Sequence, residues 1–170
     1  MGMYENFLDF LKLLRNDEIL LRLLYYAPED IVNKIPDPLS SSLPDILKMD
    51  AKTRNQIRND HIMKSSKTDD FETKKICRIY IYAGNRIPER DRNNSYLMAE
   101  QQIKIDVIVH NDFENEDVRM ERILDRLNEL LCLNRITGIG KTDFVDGRPI
   151  NAPKDYIGYQ VIYKFGSTKK

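Results

Sequence analysis

The chain contains one Gly-Lys-Thr, at residues 140–142, and nucleotide-binding P-loops end in this tripeptide. A P-loop also needs a glycine five positions earlier, where the chain turns back so that backbone N–H groups can surround the phosphates. Position 135 is an arginine, and a helical pattern precedes the glycines where a P-loop has a strand. Spacing and element order therefore predict that Lys141 binds no nucleotide and that the chain carries no cofactor.

The stretch from His110 to Asp117 is the most metal-like part of the sequence. Three carboxylates match the first ligand positions of a calcium loop: Asp112, Glu114 and Glu116. Asp117 stands where that loop requires a glycine, and Ile123 stands where it requires the last glutamate. The simpler interpretation is an acidic turn that stabilises the N-terminus of the next helix, with no metal bound.

A metal-dependent nuclease is the alternative from a different functional class. Such an enzyme needs several carboxylates that converge on the metal ions, in a motif of the form Asp/Glu-x-Lys. Glu100 and Lys104 are four positions apart, and Asp106 is followed by Val-Ile. No serine, cysteine or histidine motif suggests nucleophilic catalysis either, so we expect no catalytic residues and no enzyme activity.

The composition limits the classes of partner. Lysine and arginine total 27, aspartate and glutamate total 27, and the formal net charge is zero. A general nucleic-acid binder depends on excess cationic charge, so this balance argues against that class. Charged residues are nevertheless 32% of the chain, and patches of both signs suit protein partners with complementary patches.

Other features predict a protein that is made in the cytosol and does not enter membranes. No segment approaches the 18 or more apolar residues of a membrane span. Cys77 and Cys132 lack the spacing of metal ligands, and we interpret them as reduced thiols that act as small hydrophobic residues.

The first half of the chain predicts helices followed by irregular structure. Apolar residues at helical spacing predict helices within residues 3–26, with Asn16 as the N-cap of the second. Four prolines mark a connector over residues 28–50 with at most one-turn helices. The segment 51–70 is basic, and its charge pattern predicts a solvated loop.

The second half, residues 75–166, predicts a sheet with one amphipathic helix. Strand patterns cover residues 75–83, 102–109 and 156–165, the last with Gln160 facing outwards. Asn115 is expected to cap a helix whose apolar stripe includes Leu124 and Leu127, and Gly138 and Gly140 to release it into a further strand. The predicted fold is a single α+β domain, with a mostly antiparallel sheet of about four strands in the order β-β-α-β-β. The N-terminal helices and the amphipathic helix pack on one face of this sheet.

A long polar stretch separates the first two predicted strands. Residues 85–96 read as a hairpin loop that carries Arg86, Arg90 and Arg92. Loops of this length are uncommon inside compact domains and usually have a function.

The sequence resembles the tail terminator, or tail completion, proteins of tailed bacteriophages, and it is similar to neighbouring neck proteins of the head–tail junction. Four segments carry the resemblance: "NDEILLRLLYYAPED", "ICRIYIYAG", "AEQQIKIDVIVHND" and "YIGYQVIYKFGS". Together with the order of elements they cover residues 16 to 167. The resemblance implies a virion structural protein that forms a ring, commonly a hexamer. Such a ring caps the tail tube and presents a surface to the head.

The expected partners are further copies of the chain, the tail tube protein and a head-side neck or connector protein. DNA would pass through the lumen without sequence-specific binding, and the protein would reside in the tail or neck of the virion. A ring needs head-to-tail subunit contacts, which patches of opposite charge would suit. The candidate interface residues are Lys52, Arg54, Arg58, Arg86, Arg90, Arg92, Asp112, Glu114 and Glu116. Another head–tail connector component is the alternative within this class.

Overall fold

The computed structural model describes residues 2–66, 69–88, 98–137 and 140–168. The described elements are α1 (Met3–Arg15), α2 (Glu18–Tyr25), a 3-10 helix (Ile46–Lys48), α3 (Ala51–His61), β1 (Ile62–Met63), β2 (Cys77–Pro88), β3 (Met98–His110), α4 (Asn111–Asp117), α5 (Arg119–Leu131), β4 (Asp143–Ile150) and β5 (Tyr156–Thr168). This arrangement confirms the predicted α+β class.

The strands form one sheet in the order β1-β2-β3-β5-β4. The pairing is antiparallel except between β1 and β2, which are parallel. The described sheet therefore has five strands where about four were expected. The additional strand, β1, contains only two residues, which is too short to show a period-2 pattern.

The main core lies between the helices and one face of the sheet. Along β3, Ile103, Ile105 and Val107 alternate onto this face and are fully buried. They belong to the same apolar cluster as Leu124 and Leu127 of α5. The matched strand and helix stripes thus pack against each other as predicted, since each can remove its apolar side from water only against the other.

The opposite face of the sheet is only partly covered. The segment before β2 places Phe71 on this face, where its ring stacks on Tyr156 at a centroid distance of 4.5 Å. Tyr80 and Ile108 complete this second, smaller apolar cluster. Gln160 also lies on this face, but it is buried, so the prediction that it points into water is wrong.

The basic segment is mostly helical, which corrects the prediction of a loop. Asp50 is the N-cap of α3, and its side chain accepts a hydrogen bond from the N–H of Thr53 at 3.0 Å. Only Ile57 and His61 of this helix are buried. With so few apolar positions the helix shows almost no stripe, and the periodicity could not reveal it.

Two helix starts also differ from the predictions. The side chain that caps α2 is Asp17, which accepts from the N–H of Leu20, whereas Asn16 ends α1. Asn115 lies inside α4, whose N-cap is His110, so it caps no helix. Between α4 and α5 the chain turns at Val118, which has a left-handed φ of 52°.

The strand β2 extends into the stretch predicted as a loop. Residues 85–88 belong to β2, so Arg86 lies in a strand, with its side chain exposed. Arg90 and Arg92 lie outside the described residues.

Candidate partner-binding surfaces

Most of the buried charge holds the fold together. Five arginines of the described residues form ion pairs with carboxylates: Arg22, Arg78, Arg119, Arg122 and Arg126. Arg22 and Glu18 of α2 bind the backbone of the proline-rich connector. Arg22 donates to the carbonyls of Ser40 and Leu43. Glu18 accepts hydrogen bonds from the N–H groups of Ile46 and Leu47. These contacts fix an irregular segment that has few backbone hydrogen bonds of its own.

Arg119 is the most deeply buried of these residues. Its guanidinium pairs with Asp117 at 2.6 Å, and it also donates to the carbonyls of Leu23 and Tyr26 at 2.5 and 2.9 Å. These carbonyls lie at the C-terminal end of α2, where backbone acceptors lack helical partners. Arg119 therefore joins the end of α2 to the junction between α4 and α5.

The acidic stretch 112–117 is largely occupied by internal contacts. Asp112 binds Lys75, whose ammonium holds the pKa of this carboxyl below its usual value. Glu114 accepts the N–H of Met120 at 2.7 Å, which caps the start of α5, and Asp117 binds Arg119. Glu116 is exposed. Glu114 therefore stabilises the start of the next helix, as predicted, but the stretch itself forms the helix α4 where the sequence predicted a turn.

The groove between α1 and α3 has a different character. Its lining includes Leu8, Leu11, Lys12, Arg15 and Arg58, and we call it the α1–α3 groove. The described contacts of Arg15, Arg54 and Arg58 are to neutral oxygens. Arg15 donates to Asn59 Oδ1, Arg54 to the Leu47 carbonyl and Arg58 to Asn16 Oδ1. Among the described residues, no carboxylate pairs with any of these three cations.

The pKa of Arg58 shows the electrostatic consequence. Burial lowers it, and the positive charges of Arg54 and Arg15 lower it further. The Nε atoms of Arg54 and Arg58 are buried without a hydrogen-bond partner. Of the basic residues predicted to lie at an interface, Lys52 is exposed. Arg54 and Arg58 lie close to each other, and among the described residues no carboxylate pairs with them.

His61 lies at the C-terminal end of α3, under Tyr25. Its Nδ1 donates to the carbonyl of Cys77 at 2.7 Å, and its ring meets that of Tyr25 edge-on at 5.9 Å. Burial lowers the pKa of His61, so the neutral imidazole fits this position.

On the open face of the sheet, a polar row crosses four strands, β2, β3, β5 and β4. The Tyr82 hydroxyl donates to Asp106 at 2.9 Å, while Gln160 Nε2 contacts both groups at 2.8 Å. Arg148 donates to the Gln160 Oε1 at 2.9 Å. Burial and the Asp106 carboxylate raise the pKa of Tyr82 to about 12. The row pairs its own donors and acceptors, which explains how Gln160 can be buried.

The two carboxylates considered for a nuclease do not converge. Glu100 and Asp106 lie six residues apart on β3, roughly 20 Å along an extended strand. Glu100 binds Lys164, and Asp106 belongs to the polar row. Within the described part of the chain, no group of three or more metal-binding side chains is present.

The Gly-Lys-Thr stretch lies between α5 and β4, in the reverse of the P-loop order. Lys141 is exposed, while Thr142 is buried and closes the connection by backbone hydrogen bonds to Leu133 and Asn134. The helix ends at Leu131, and Leu133 adopts the left-handed φ of 58° that a glycine was expected to supply. Gly138 lies outside the described residues, and Gly140, with a φ of 69°, lies near the end of the connection, shortly before β4.

A tight turn after α2 exposes two apolar side chains. Ile31 and Val32 are 86% and 87% exposed, at the tip of a turn closed by reciprocal backbone hydrogen bonds between Asp30 and Ile35. The Asp30 carboxylate also accepts from the backbone and side chain of Asn33 at 3.0 and 2.6 Å. Sequence reasoning missed this 29–35 turn, although Asp and Asn around an apolar pair are a turn signal.

The family assignment rests on most of the chain. Residues 17–165 match the model of the YomW family. The chain belongs to the YomW family. A curated relative from Bacillus subtilis (strain 168), the SPbeta prophage-derived uncharacterized protein YomW, is 34% identical over 174 residues, which cover 97% of each chain.

A comparison with solved structures finds a chain from the virion of a native gene transfer agent (GTA) particle. The TM-score is 0.45 at 11% identity, over 73% of this YomW-family chain and 90% of that chain. These values describe a distant likeness of the chain path. No described helix is long and apolar enough to cross a membrane.

Proposed function

We propose that this protein is a structural component of a tailed-phage particle. In this role it forms a ring that caps the tail tube and joins the tail to the head. The proposal rests chiefly on the relation over 97% of the chain to a prophage-derived protein. It also draws on the sequence resemblance to tail terminator proteins. Its partners are further copies of itself, the tail tube protein and a head-side neck protein.

The surface chemistry supports a protein that acts by binding. Most charges in the acidic stretch and in the buried arginine pairs are occupied within the chain, whereas the cations of the α1–α3 groove have no carboxylate partner among the described residues. A cationic cluster of this kind gains from a partner that brings negative charge. We propose that the protein carries out no turnover, and the separation of Glu100 from Asp106 supports this over the nuclease.

Arg86 remains a candidate contact residue in this role. It is exposed on β2, and its neighbour Ile87 is 51% exposed. An exposed arginine beside an exposed apolar residue is a common composition at protein interfaces. We propose that this end of β2 faces a neighbouring subunit or the lumen. Arg90 and Arg92, for which the sequence predicts the same role, lie outside the described residues.

Deletion of the gene in the phage or prophage that encodes it tests the function directly. Electron microscopy of the lysate should show tails of irregular length and heads without tails. A copy of the gene supplied in trans should restore normal particles. Normal, joined particles without the protein would contradict the proposal. Tails of normal length that fail to join heads would instead indicate another connector component.

A further inference from the structure

The α1–α3 groove combines cationic and apolar chemistry. Lys12, Arg15 and Arg58 supply the charge, Leu8 is 40% exposed at its edge, and Leu11 lies in its floor. Since no described carboxylate neutralises the arginines, the groove has an unmet preference for negative charge. An occupant that suits it would be acidic and would also bury apolar surface against Leu8.

The 29–35 turn has the complementary composition. It carries Glu29 and Asp30 against one cation, Lys34, and it exposes Ile31 and Val32 almost completely. Exposed pairs of large apolar residues on an ordered turn are typical of interaction sites. The turn is therefore an acidic and apolar projection on the same molecule that carries a basic and apolar groove.

The turn is also ordered before it meets a partner. Asp30 and Ile35 pair through two backbone hydrogen bonds of 2.9 and 2.8 Å. Two residues beyond the turn, Asp37 accepts from Arg122 of α5 at 2.9 and 3.1 Å, which ties its base to the core. A preorganised projection loses little conformational entropy on binding.

The two features lie at opposite ends of α2. The groove includes Asn16, just before this helix, whereas the turn begins four residues after Tyr25, its last residue. The eight-residue helix is roughly 12 Å long, so turn and groove are separate surfaces of one subunit. Two different surfaces that fit each other produce a head-to-tail contact, which closes into a ring when the rotation permits.

We propose that the 29–35 turn of one subunit inserts into the α1–α3 groove of a second copy. Glu29 then faces Arg58 and Arg15, while Ile31 and Val32 cover Leu8. This proposal rests on the ring function proposed above and specifies the contact between neighbouring subunits of the ring. A nucleic-acid strand is the less suitable occupant, because its phosphates would leave Leu8 exposed and because the chain has no net positive charge.

Two variants that each disable one surface provide the test. Arg58→Glu disables the groove, and the double variant Ile31→Ser/Val32→Ser disables the turn. Sedimentation of wild type at increasing concentration should show association, which each variant weakens about tenfold or more. A 1:1 mixture of the two variants retains one intact turn and one intact groove, so it should form dimers and nothing larger.

A charge exchange and two controls sharpen the result. The double variant Arg58→Glu/Glu29→Arg should regain association, because the opposite charges again face each other. Lys154→Glu changes the net charge equally at an exposed residue that lines neither surface, and Val145→Ser removes an exposed apolar side chain from β4. Both controls should associate like wild type. Thermal midpoints close to that of wild type establish that each variant is folded.

Several outcomes would overturn the contact. The contact is wrong if either variant associates like wild type, or if the 1:1 mixture stays monomeric. It is also wrong if Arg58→Glu loses binding of the protein to DNA while its self-association stays intact. A monomeric wild type that also forms no disulfide between Ile31→Cys and Leu8→Cys subunits would do the same. Particle composition is measured separately. A protein that associates through this contact but is absent from purified particles refutes the virion role alone, whereas normal particles built with both surface variants refute the contact alone.

Discussion

Two sets of arginines in this molecule make opposite kinds of contact. Arg119 and Arg126 of α5 each hold a carboxylate and lie against α2, while Arg54 and Arg58 of α3 contact neutral oxygens beside one another. A buried pair satisfies both charges inside the fold, whereas adjacent cations repel and gain from an external anion. The difference separates charge that specifies the structure from charge that is available to a partner.

The contrast predicts its largest effect at Arg119. Replacement by leucine leaves the Asp117 carboxylate and the carbonyls of Leu23 and Tyr26 without this donor in the interior. We expect Arg119→Leu to lower the free energy of unfolding by about 3–5 kcal/mol, measured by urea denaturation. The Arg119→Leu/Asp117→Asn double variant should lose less than the sum of the single losses. Additive losses would show that the pair does not act as a unit.

Arg126 should give a smaller effect of the same kind. It donates to both oxygens of Asp17 at 3.0 and 2.6 Å, and Asp17 is the N-cap of α2. Because the pair is partly exposed, we expect Arg126→Gln to cost about 1–2 kcal/mol in urea unfolding. Arg126→Lys keeps the charge but not the two-point geometry, so its loss should be intermediate. Equal losses for both variants would assign the effect to packing of the stem.

The number of buried apolar residues in each element explains which parts of the fold could be predicted from sequence. The alternation in β3 and the stripe of α5 each contain several buried apolar residues, and their periods differ enough to identify the element. Helix α3 buries only Ile57 and His61, so its sequence resembles a solvated basic segment. The two-residue strand β1 is shorter than any periodic signal.

The charged contacts were beyond sequence reasoning for a different reason. Arg119 contacts the carbonyl of Leu23, which is 96 residues away along the chain, and no local pattern encodes that partner. The acidic stretch could be assigned to a helix start, because a helix terminus is a local feature. Whether Arg58 had a carboxylate partner depended on how α3 packs against α1.

His61 provides a test of α3 through pH. Its folded pKa is lowered by burial from the usual 6.5, so the unfolded chain binds the proton more readily than the folded one. The free energy of unfolding therefore has its full value, as far as His61 is concerned, above about pH 6.5. It decreases as the pH falls from there towards the folded pKa of His61. The loss is at most about 1.4 kcal/mol per pH unit for one group.

Unfolding of wild type and His61→Asn should be compared between about pH 7.5 and 5. The asparagine amide can take the place of Nδ1 as donor to Cys77, but it does not titrate. We therefore expect the wild type to lose more stability than the variant over this range. Parallel pH profiles would show that His61 does not titrate with unfolding.

The smallest expected effect on stability is at Arg58, and it tests the other side of the comparison. Arg58→Ala removes one hydrogen bond, at 2.6 Å to Asn16, and it also removes repulsion with Arg54 and Arg15. Since the two changes oppose each other, we expect the free energy of unfolding to stay within about 0.5 kcal/mol of wild type. Arg126→Gln, measured in the same urea series, is the matched arginine with a carboxylate partner. If Arg58→Ala costs as much as Arg126→Gln, then Arg58 also holds the fold together. A near-neutral Arg58→Ala that weakens self-association assigns this charge to the contact between subunits.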